Sequence, residues 1–465
     1  MNRREFLRAL AGAGCAAVAP GCFSAKAYRA NSKVRLAAIG CGAQAWYDLK
    51  MLAGNEDLCE VVALCDTDIG APHTLEALRQ YPQLPRFTDF RTMFDRVGGS
   101  IDAVLVGTPD HSHFCATMHA LSLGKHVYVE KPLAHSFREC ELLRTAEART
   151  GLVCQMGNQG HSGDNFWQYR EYFRQGRLKN VVKVVSHMNM QRRWHKWGGK
   201  VAGYPAAESL PATLDWEAWI ASAPYHDFSK DLAYGEWRCW FDYGNGCMGD
   251  WGAHILDTVH RFTLGCALPE KVEIANLRGA NPYVFPVQDT LTMTFPARDG
   301  RAAVKVEWWE GLDNQPHPPA GYRFDSNRGL FPANDANDGL IDPKLKPGKE
   351  IYEADGTIWQ GLSHSSTLKL VGGGELPDYP HAQCDHWRNF LLACRGEMAV
   401  QSPFSVAAPL SQLFCLGVIA QRTGRGFAFD AAAKRIVGDD EADRLLAGPA
   451  PRPGWSEYYR RDFIA

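Results

Sequence analysis

Fourteen cysteines are scattered through the 465 residues, yet none forms a C-x-x-C pair and none joins histidines at metal-ligand spacing. A structural zinc and a thioredoxin-like redox site are therefore unsupported, and no metal is expected. Basic runs are missing too, as is any stripe of interleaved basic and aromatic residues. With a formal net charge of −2, this argues against nucleic acid as a partner. No internal repeat is present. Charged residues make up 22% and hydrophobic residues 45%, a balance that excludes disorder as the main state. The chain is too long for one ordinary core, so two domains are expected.

The first residues read as an address. Asn2-Arg3-Arg4-Glu5-Phe6-Leu7-Arg8 is a twin-arginine signature, and the weakly apolar run Ala9–Ala19 is too short to span a bilayer. Ala25-Lys26-Ala27 fits a cleavage site, so residues 1–27 are read as a signal peptide. Cys22 leaves lipid anchoring open, and an amphipathic N-terminal helix of the fold is the competing reading. The expected location is the periplasm, reached through the twin-arginine machinery. That route carries folded proteins, so a tight cofactor can be taken up first and most cysteines stay reduced.

Val34–Ile39 is a short apolar run followed by Gly40-Cys41-Gly42-Ala43-Gln44-Ala45, a G-x-G-x-x-A element between a strand and a helix. The first glycine permits a tight turn and the second lets the backbone approach a pyrophosphate. The free N–H groups of the following helix then face the phosphates. A second strand, Val61–Cys65, ends at Asp66, placed to bind ribose hydroxyls and to repel an extra phosphate. NAD is therefore favoured over NADP. Alternation continues through helix Leu75–Gln80, the segment Phe90–Val97, strand Ala103–Val106, helix Phe114–Leu123 and strand His126–Glu130. This is the pattern of a doubly wound parallel sheet. The last strand ends on Glu130-Lys131-Pro132, where open α/β sheets place their ligands; a structural ion pair is the alternative there. His111, His113 and His119 lack a fixed carboxylate and read as capping or packing residues.

Taken together, these runs resemble the Gfo/Idh/MocA family of oxidoreductases, which includes glucose–fructose oxidoreductase and inositol dehydrogenase. The resemblance rests on G-x-G-x-x-A, Asp66, the run Thr108-Pro109 to His113, and Gly124-Lys125-His126-Val127 to Glu130-Lys131-Pro132. It implies a Rossmann domain over residues 33–156 and a second, α+β domain with a large, mostly antiparallel, open-faced sheet over 157–447. It also implies cofactor contacts from Gly40, Gly42, Ala43, Gln44, Asp66, Thr108, Pro109, His113, Glu130, Lys131 and Asn158. Lys131 would lie beside both the nicotinamide and the substrate hydroxyl. Asn158 and Gln159 could equally be a polar turn.

In the second half, Gly244 to Asp257 carries Asp250, His254 and Asp257, which would share one face of a helix. The family's Asp-x-x-x-His pair matches Asp250 and His254, against a bland reading as a cap and a packed ring. The aromatic segments 214–219 and 236–243 resemble an exported branch of the family. Loop 191–197, with Arg193, Trp194 and Trp197, and the later Trp237 and Trp240, suit a sugar ring or a subunit contact in a homo-oligomer. Substrate contacts are therefore expected from Lys131, Gln159, Arg193, Trp194, Trp237, Asp250, His254 and Asp257. Strands are expected at Val181–Met188, Lys271–Ala275, Asp289–Phe295 and Ala302–Trp309. Residues 311–380 read as an extended, partly ordered insertion with hairpin pieces, residues 384–423 as helices packing back, and 448–465 as a C-terminal arm.

The function this predicts is hydride transfer between NAD and a secondary alcohol of a sugar or polyol, with the cofactor retained and recycled. His254 would act as base, Asp250 would hold the imidazole, and Lys131 would face the developing alkoxide. An NAD-dependent glycosidase or lyase using transient oxidation is the second reading, and a non-catalytic sugar binder the third.

Overall fold

The computed structural model describes residues 32–188, 201–298, 300–311, 314–323 and 345–464. The signal peptide with Cys22, and Arg193, Trp194 and Trp197, lie outside the described residues.

The first domain alternates β1 Val34–Ile39, α1 Ala43–Ala53, β2 Cys59–Cys65, α2 Leu75–Gln80, β3 Arg86–Phe87, α3 Phe90–Val97, β4 Ala103–Val106, α4 Asp110–Ser122, β5 His126–Val129, α5 Phe137–Thr150 and β6 Cys154–Met156. The strands form one parallel sheet in the order β3-β2-β1-β4-β5-β6. Its central strands are buried on both faces, which explains why β4 reads Ala-Val-Leu-Val without alternation. The order reverses between β1 and β4, and ligands bind at the C-terminal edge of such a reversal. Helix α5 opens with a complete capping box, Ser136 with Glu139.

The chain continues through α6 Asp164–Arg174 and β7 Val181–Met188 into an aromatic segment with α7 Trp216–Ile220, then α8 Gly246–Ile255. Strands β8 Lys271–Arg278, β9 Gln288–Phe295 and β10 Val304–Gly311 follow, then β11 Gly348–Glu353, β12 Ile358–Leu362 and β13 Lys369–Leu370. Helices α9 His386–Cys394 and α10 Phe404–Thr423 lead to β14 Phe427–Asp430, β15 Arg435–Val437 and α11 Asp440–Leu445. The nine-stranded second sheet runs β13-β12-β11-β7-β10-β9-β8-β14-β15, antiparallel except where β7 meets β10. Within residues 345–370 the expected hairpin pieces are β11 and β12, which extend this sheet because β11 pairs along nearly the whole of β7. Pairing across distant sequence left no periodic trace there.

Two late segments return to the first domain. Helix α9 covers one face of the parallel sheet, with Trp387 and Phe390 in the same apolar cluster as Leu36 and Leu49. Beyond residue 448, Trp455 and Tyr458 are buried, and Tyr459 donates to the carboxylate of Glu139 at 2.5 Å. Helix α10 satisfies the length and composition of a membrane span, but 89% of its apolar window is buried in the protein; it is a core helix.

Helix α8 is buried on nearly every side and lies against α10. The approach is close because position 252 has no side chain: a Cβ there would meet Phe414 at 2.6 Å. Gly252→Ala should overpack this contact at about 1–3 kcal/mol. That outweighs the helix-propensity gain of about 1 kcal/mol. The urea unfolding midpoint should therefore fall; an unchanged or raised midpoint would show that the helix pair is loosely packed.

Candidate active site

At the sheet reversal lies a cavity of about 320 Å³. Gly40, Gly42, Ala43 and Gln44 line it after β1, Asp66 after β2, Thr108, Pro109 and His113 after β4, and Glu130 and Lys131 after β5. Gly40 has φ +97°, and a Cβ on it would lie 2.6 Å from the Gly107 carbonyl oxygen. Only glycine fits this turn. A Cβ at Gly107 would in turn meet that of Ala45 at 2.5 Å, so the small third position of the motif lets α1 close on the sheet. Helix α1 has no side-chain N-cap and no acid in its first turn, leaving its N–H groups to an anion. This cradle fits a dinucleotide's phosphates. Asp66 accepts from the backbone N–H of Cys41 at 2.8 Å and of Asp68 at 3.0 Å, which fixes its carboxylate at the cavity wall. His73 stands 3.3 Å from Asp66, whose carboxylate raises the imidazole pKa.

The second domain supplies the opposite wall: Leu214, Ala218, Trp219, Tyr234, Trp237 and Arg238. This aromatic segment is tied to the tip of β2. Thr213 and Tyr234 donate hydroxyl hydrogen bonds to the two oxygens of Asp68, at 2.6 and 3.0 Å, and the Asp215 N–H donates to Thr67 O at 2.7 Å. His111, on α4, holds it from beneath, its ring nitrogens 2.7 Å from Trp219 O and 3.2 Å from Tyr243 O. Sequence reasoning missed Asp68, Tyr234 and Arg238. A second acid two residues after Asp66 was the available signal for Asp68; nothing local marked the others.

Lys131 and Asp250 meet where the domains face each other. The Lys131 Nζ donates to Asp250 Oδ1 at 2.8 Å and to its main-chain oxygen at 3.0 Å. Both side chains are largely enclosed, at 13% and 11% exposure, and Arg238 Nε lies 3.8 Å from the same carboxylate oxygen. Asp110, buried at the start of α4, accepts from the Asn245 N–H at 3.0 Å. Burial pushes its pKa up to about 7, against the opposing charge of Arg238.

His254 lies one turn beyond Asp250 on α8. It is not among the residues lining the cavity; its ring stacks on His364 instead. Burial, His364 and Lys131 hold its pKa well below the usual imidazole value, and Asp250 opposes them. Asn158 is buried, and neither its amide nitrogen nor its oxygen has a partner among the described residues. That orphaned pair is consistent with contact to a bound group.

Several expected contacts are corrected by the packing. Asp257 lies beyond the end of α8 and pairs with buried His161 at 2.8 Å, so it is not available to a substrate in the cavity. Gln159 donates to Glu130 at 2.9 Å and to Asp48 at 3.4 Å rather than facing the cavity. Glu130 lines the cavity, but its carboxyl is turned toward Gln159 and Asp48, and burial beside Asp48 raises its pKa well above normal. His113 is wedged between Pro132 O at 2.9 Å and Thr108 O at 2.7 Å, a brace for two cavity loops. Trp240 is buried in the aromatic cluster, donating to Asp231 O at 2.8 Å, and does not face a sugar. Trp237 does line the cavity, with the Arg238 guanidinium 4.2 Å over its ring.

A doubly wound sheet with a glycine-rich first turn, joined to a second domain across a lysine–aspartate contact, defines a nucleotide-binding oxidoreductase. Comparison with known proteins agrees. Residues 34–158 match the Gfo/Idh/MocA oxidoreductase family, NAD-binding Rossmann fold, and residues 168–284 match its C-terminal α/β domain. The chain belongs to this family. It is 28% identical over 167 residues to an uncharacterised oxidoreductase of Schizosaccharomyces pombe, covering 36% of this chain and 44% of that one. It is 28% identical over 169 residues to an α-N-acetylgalactosaminidase of Shewanella oneidensis, covering 35% and 36%. The matched stretches span less than half the length of these relatives. The WlbA dehydrogenase of Chromobacterium violaceum, solved with NADH and UDP-GlcNAcA, superposes with a TM-score of 0.60 at 15% identity, covering 89% of this chain and 99% of that one. The corresponding Bordetella pertussis enzyme gives 0.58 at 16% identity, covering 86% and 99%. At these identities the likeness is one of fold.

Asp110 generates a pH prediction. Its folded pKa of about 7 exceeds the ordinary 3.8, so between those values the folded protein keeps a proton that the unfolded chain has released. Raising the pH through that window therefore costs stability. Asp110→Asn should flatten this part of the profile of urea midpoint against pH. Glu147, also pushed to about 7 by burial, should keep its own share. A profile identical to wild type would show that Asp110 titrates normally.

Proposed function

We propose that this protein is an NAD-dependent oxidoreductase that transfers hydride at a secondary alcohol of a sugar or sugar-like polyol, with the dinucleotide retained between turnovers. The observation that carries the reading is the 2.8 Å contact between Lys131 and Asp250, in the wall of a cavity that also holds Gly40, Gly42 and Asp66. A bound nicotinamide would supply the hydride acceptor. The chain's own groups do the rest. The Lys131 ammonium, aimed by Asp250, stabilises negative charge on the substrate oxygen as the hydroxyl proton leaves. His254, kept neutral at ordinary pH and one helical turn behind the cavity wall at Asp250, is the base this reading requires: the substrate hydroxyl must reach its ring nitrogen past Asp250, which favours the imidazolium that results.

NAD is favoured over NADP because Asp66 and Asp68 would both oppose a ribose phosphate. Retention is supported by the aromatic segment fastened to Asp68. The twin-arginine signature favours the same reading, since an exported enzyme would carry its cofactor through folded. The periplasm is therefore the proposed location. The presence of glycosidases among the relatives favours one second reading, a redox-neutral glycosidase in which the sugar is oxidised only transiently.

Denaturing the purified protein should release nucleotide, and sugars added to the native protein should change the nicotinamide absorbance. His254→Ala should lower the rate of that change by about 10²–10⁴-fold. No releasable nucleotide, or full activity in His254→Ala, would defeat the proposal. Cleavage of an aryl glycoside with no net NADH would move it to the glycosidase reading. The double substitution Thr213→Val with Tyr234→Phe should speed loss of nucleotide on dialysis; unchanged loss would remove the segment from any part in retention.

A further inference from the structure

His364 lies in the region whose sequence has no periodicity, between β12 and β13, yet it reaches α8. Its ring stacks on His254 with centroids 4.0 Å apart and planes 11° from parallel. Its backbone N–H donates to the His254 carbonyl at 2.9 Å. Its Nδ1 is 3.0 Å from the Ser363 hydroxyl, and Trp251 presses against it edge-on at 5.5 Å. The residue has φ +59°, a left-handed conformation that is uncommon for anything but glycine and persists where surroundings impose it.

His254 itself shows what this arrangement does. A catalytic imidazole is ordinarily oriented by a hydrogen bond at the nitrogen that does not react. Here Nδ1 of His254 is buried with no partner among the described residues. The stack takes the place of that bond. We propose that His364 is a positioning residue of the site, fixing the ring plane of His254 and admitting no more than one proton to the imidazole pair. Two imidazolium rings 4.0 Å apart in a desolvated site would repel strongly, so protonating one disfavours protonating the other. Among the described residues, the charged groups that act on the pair are Lys131 from the tip of β5 and Asp250 from α8; the lysine disfavours a proton on either ring and the aspartate favours it. His364, itself held down to about 4, is neutral at ordinary pH, so burial and the lysine leave the base empty before the substrate arrives, and the pair resists a second proton only in acid.

This inference rests on the reading of His254 as base, but its test does not. The full-length protein is labelled with ¹³C-histidine, and ring signals are followed against pH in wild type, His364→Phe and His364→Ala, with His254→Ala for assignment. The phenyl ring keeps the stack and removes the charge. In His364→Phe the His254 midpoint should rise by about a unit. In His364→Ala it should rise and its signals should broaden as the ring loses its support. The acid limb of any sugar-dependent activity should move the same way in His364→Phe. A His254 midpoint unchanged in His364→Phe overturns the proposal. Should His364→Ala unfold, the phenylalanine variant still decides. Full activity in His254→Ala together with a shifted midpoint would refute the base and leave the imidazole pair standing.

Discussion

The contact between the Lys131 ammonium and the Asp250 carboxylate is the constraint on which the rest of the site depends. One partner ends a strand of the first sheet and the other is inside a helix of the second domain. Removing two charges from water costs several kcal/mol per ion, which is recovered only if the geometry is held. The domains must therefore keep their relative position to within hydrogen-bond tolerance. Much of the surrounding packing serves that end: α10 lies against both α5 and α8, and the C-terminal arm is bonded to the capping box of α5.

Around this ion pair, burial pushes several other ionisable groups toward their neutral forms. Burial raises Asp48, Asp110 and Glu130 and lowers His111, His113 and His254. Carboxyls raised in this way carry less charge near neutral pH, so they offset the field of Lys131 and Asp250 less. A field left standing in a poorly hydrated cavity acts on charge that develops in a reaction far more strongly than it would in water.

What could be read from the residues follows how local the physics is. Gly40, Gly42 and Ala45 lie in a single strand–turn–helix unit, so their spacing carried the meaning, although Gly40 and Ala45 make room for Gly107 after β4. Asp250 and His254 were legible because four residues make one helical turn. Asp257 was misread because His161, nearly a hundred residues away in sequence, claims its carboxylate. Gln159 and Trp240 look available in sequence because their partners come from other elements. His364 had no signal at all, since β11 is fixed by pairing with β7, and β12 by pairing with β11, and not by a pattern of their own.

The same division explains where specificity to substrate must come from. The first domain contributes a turn, helix N–H groups and strand ends, with the Asp66 and Lys131 side chains, a set that suits a nucleotide. The walls that differ are side chains of the second domain. Trp237 with Arg238 over its face offers an apolar surface edged by a cation, beside the lysine that would meet the reacting hydroxyl. A ring with apolar C–H faces and a polar rim answers that surface on both counts. A small hydroxy acid would leave the indole uncovered. The aromatic segment that carries Trp237 is also the one fastened to Asp68 at the nucleotide end. One piece of chain thus both lines the cavity and is fastened to Asp68, so a rearrangement that opens one end disturbs the other.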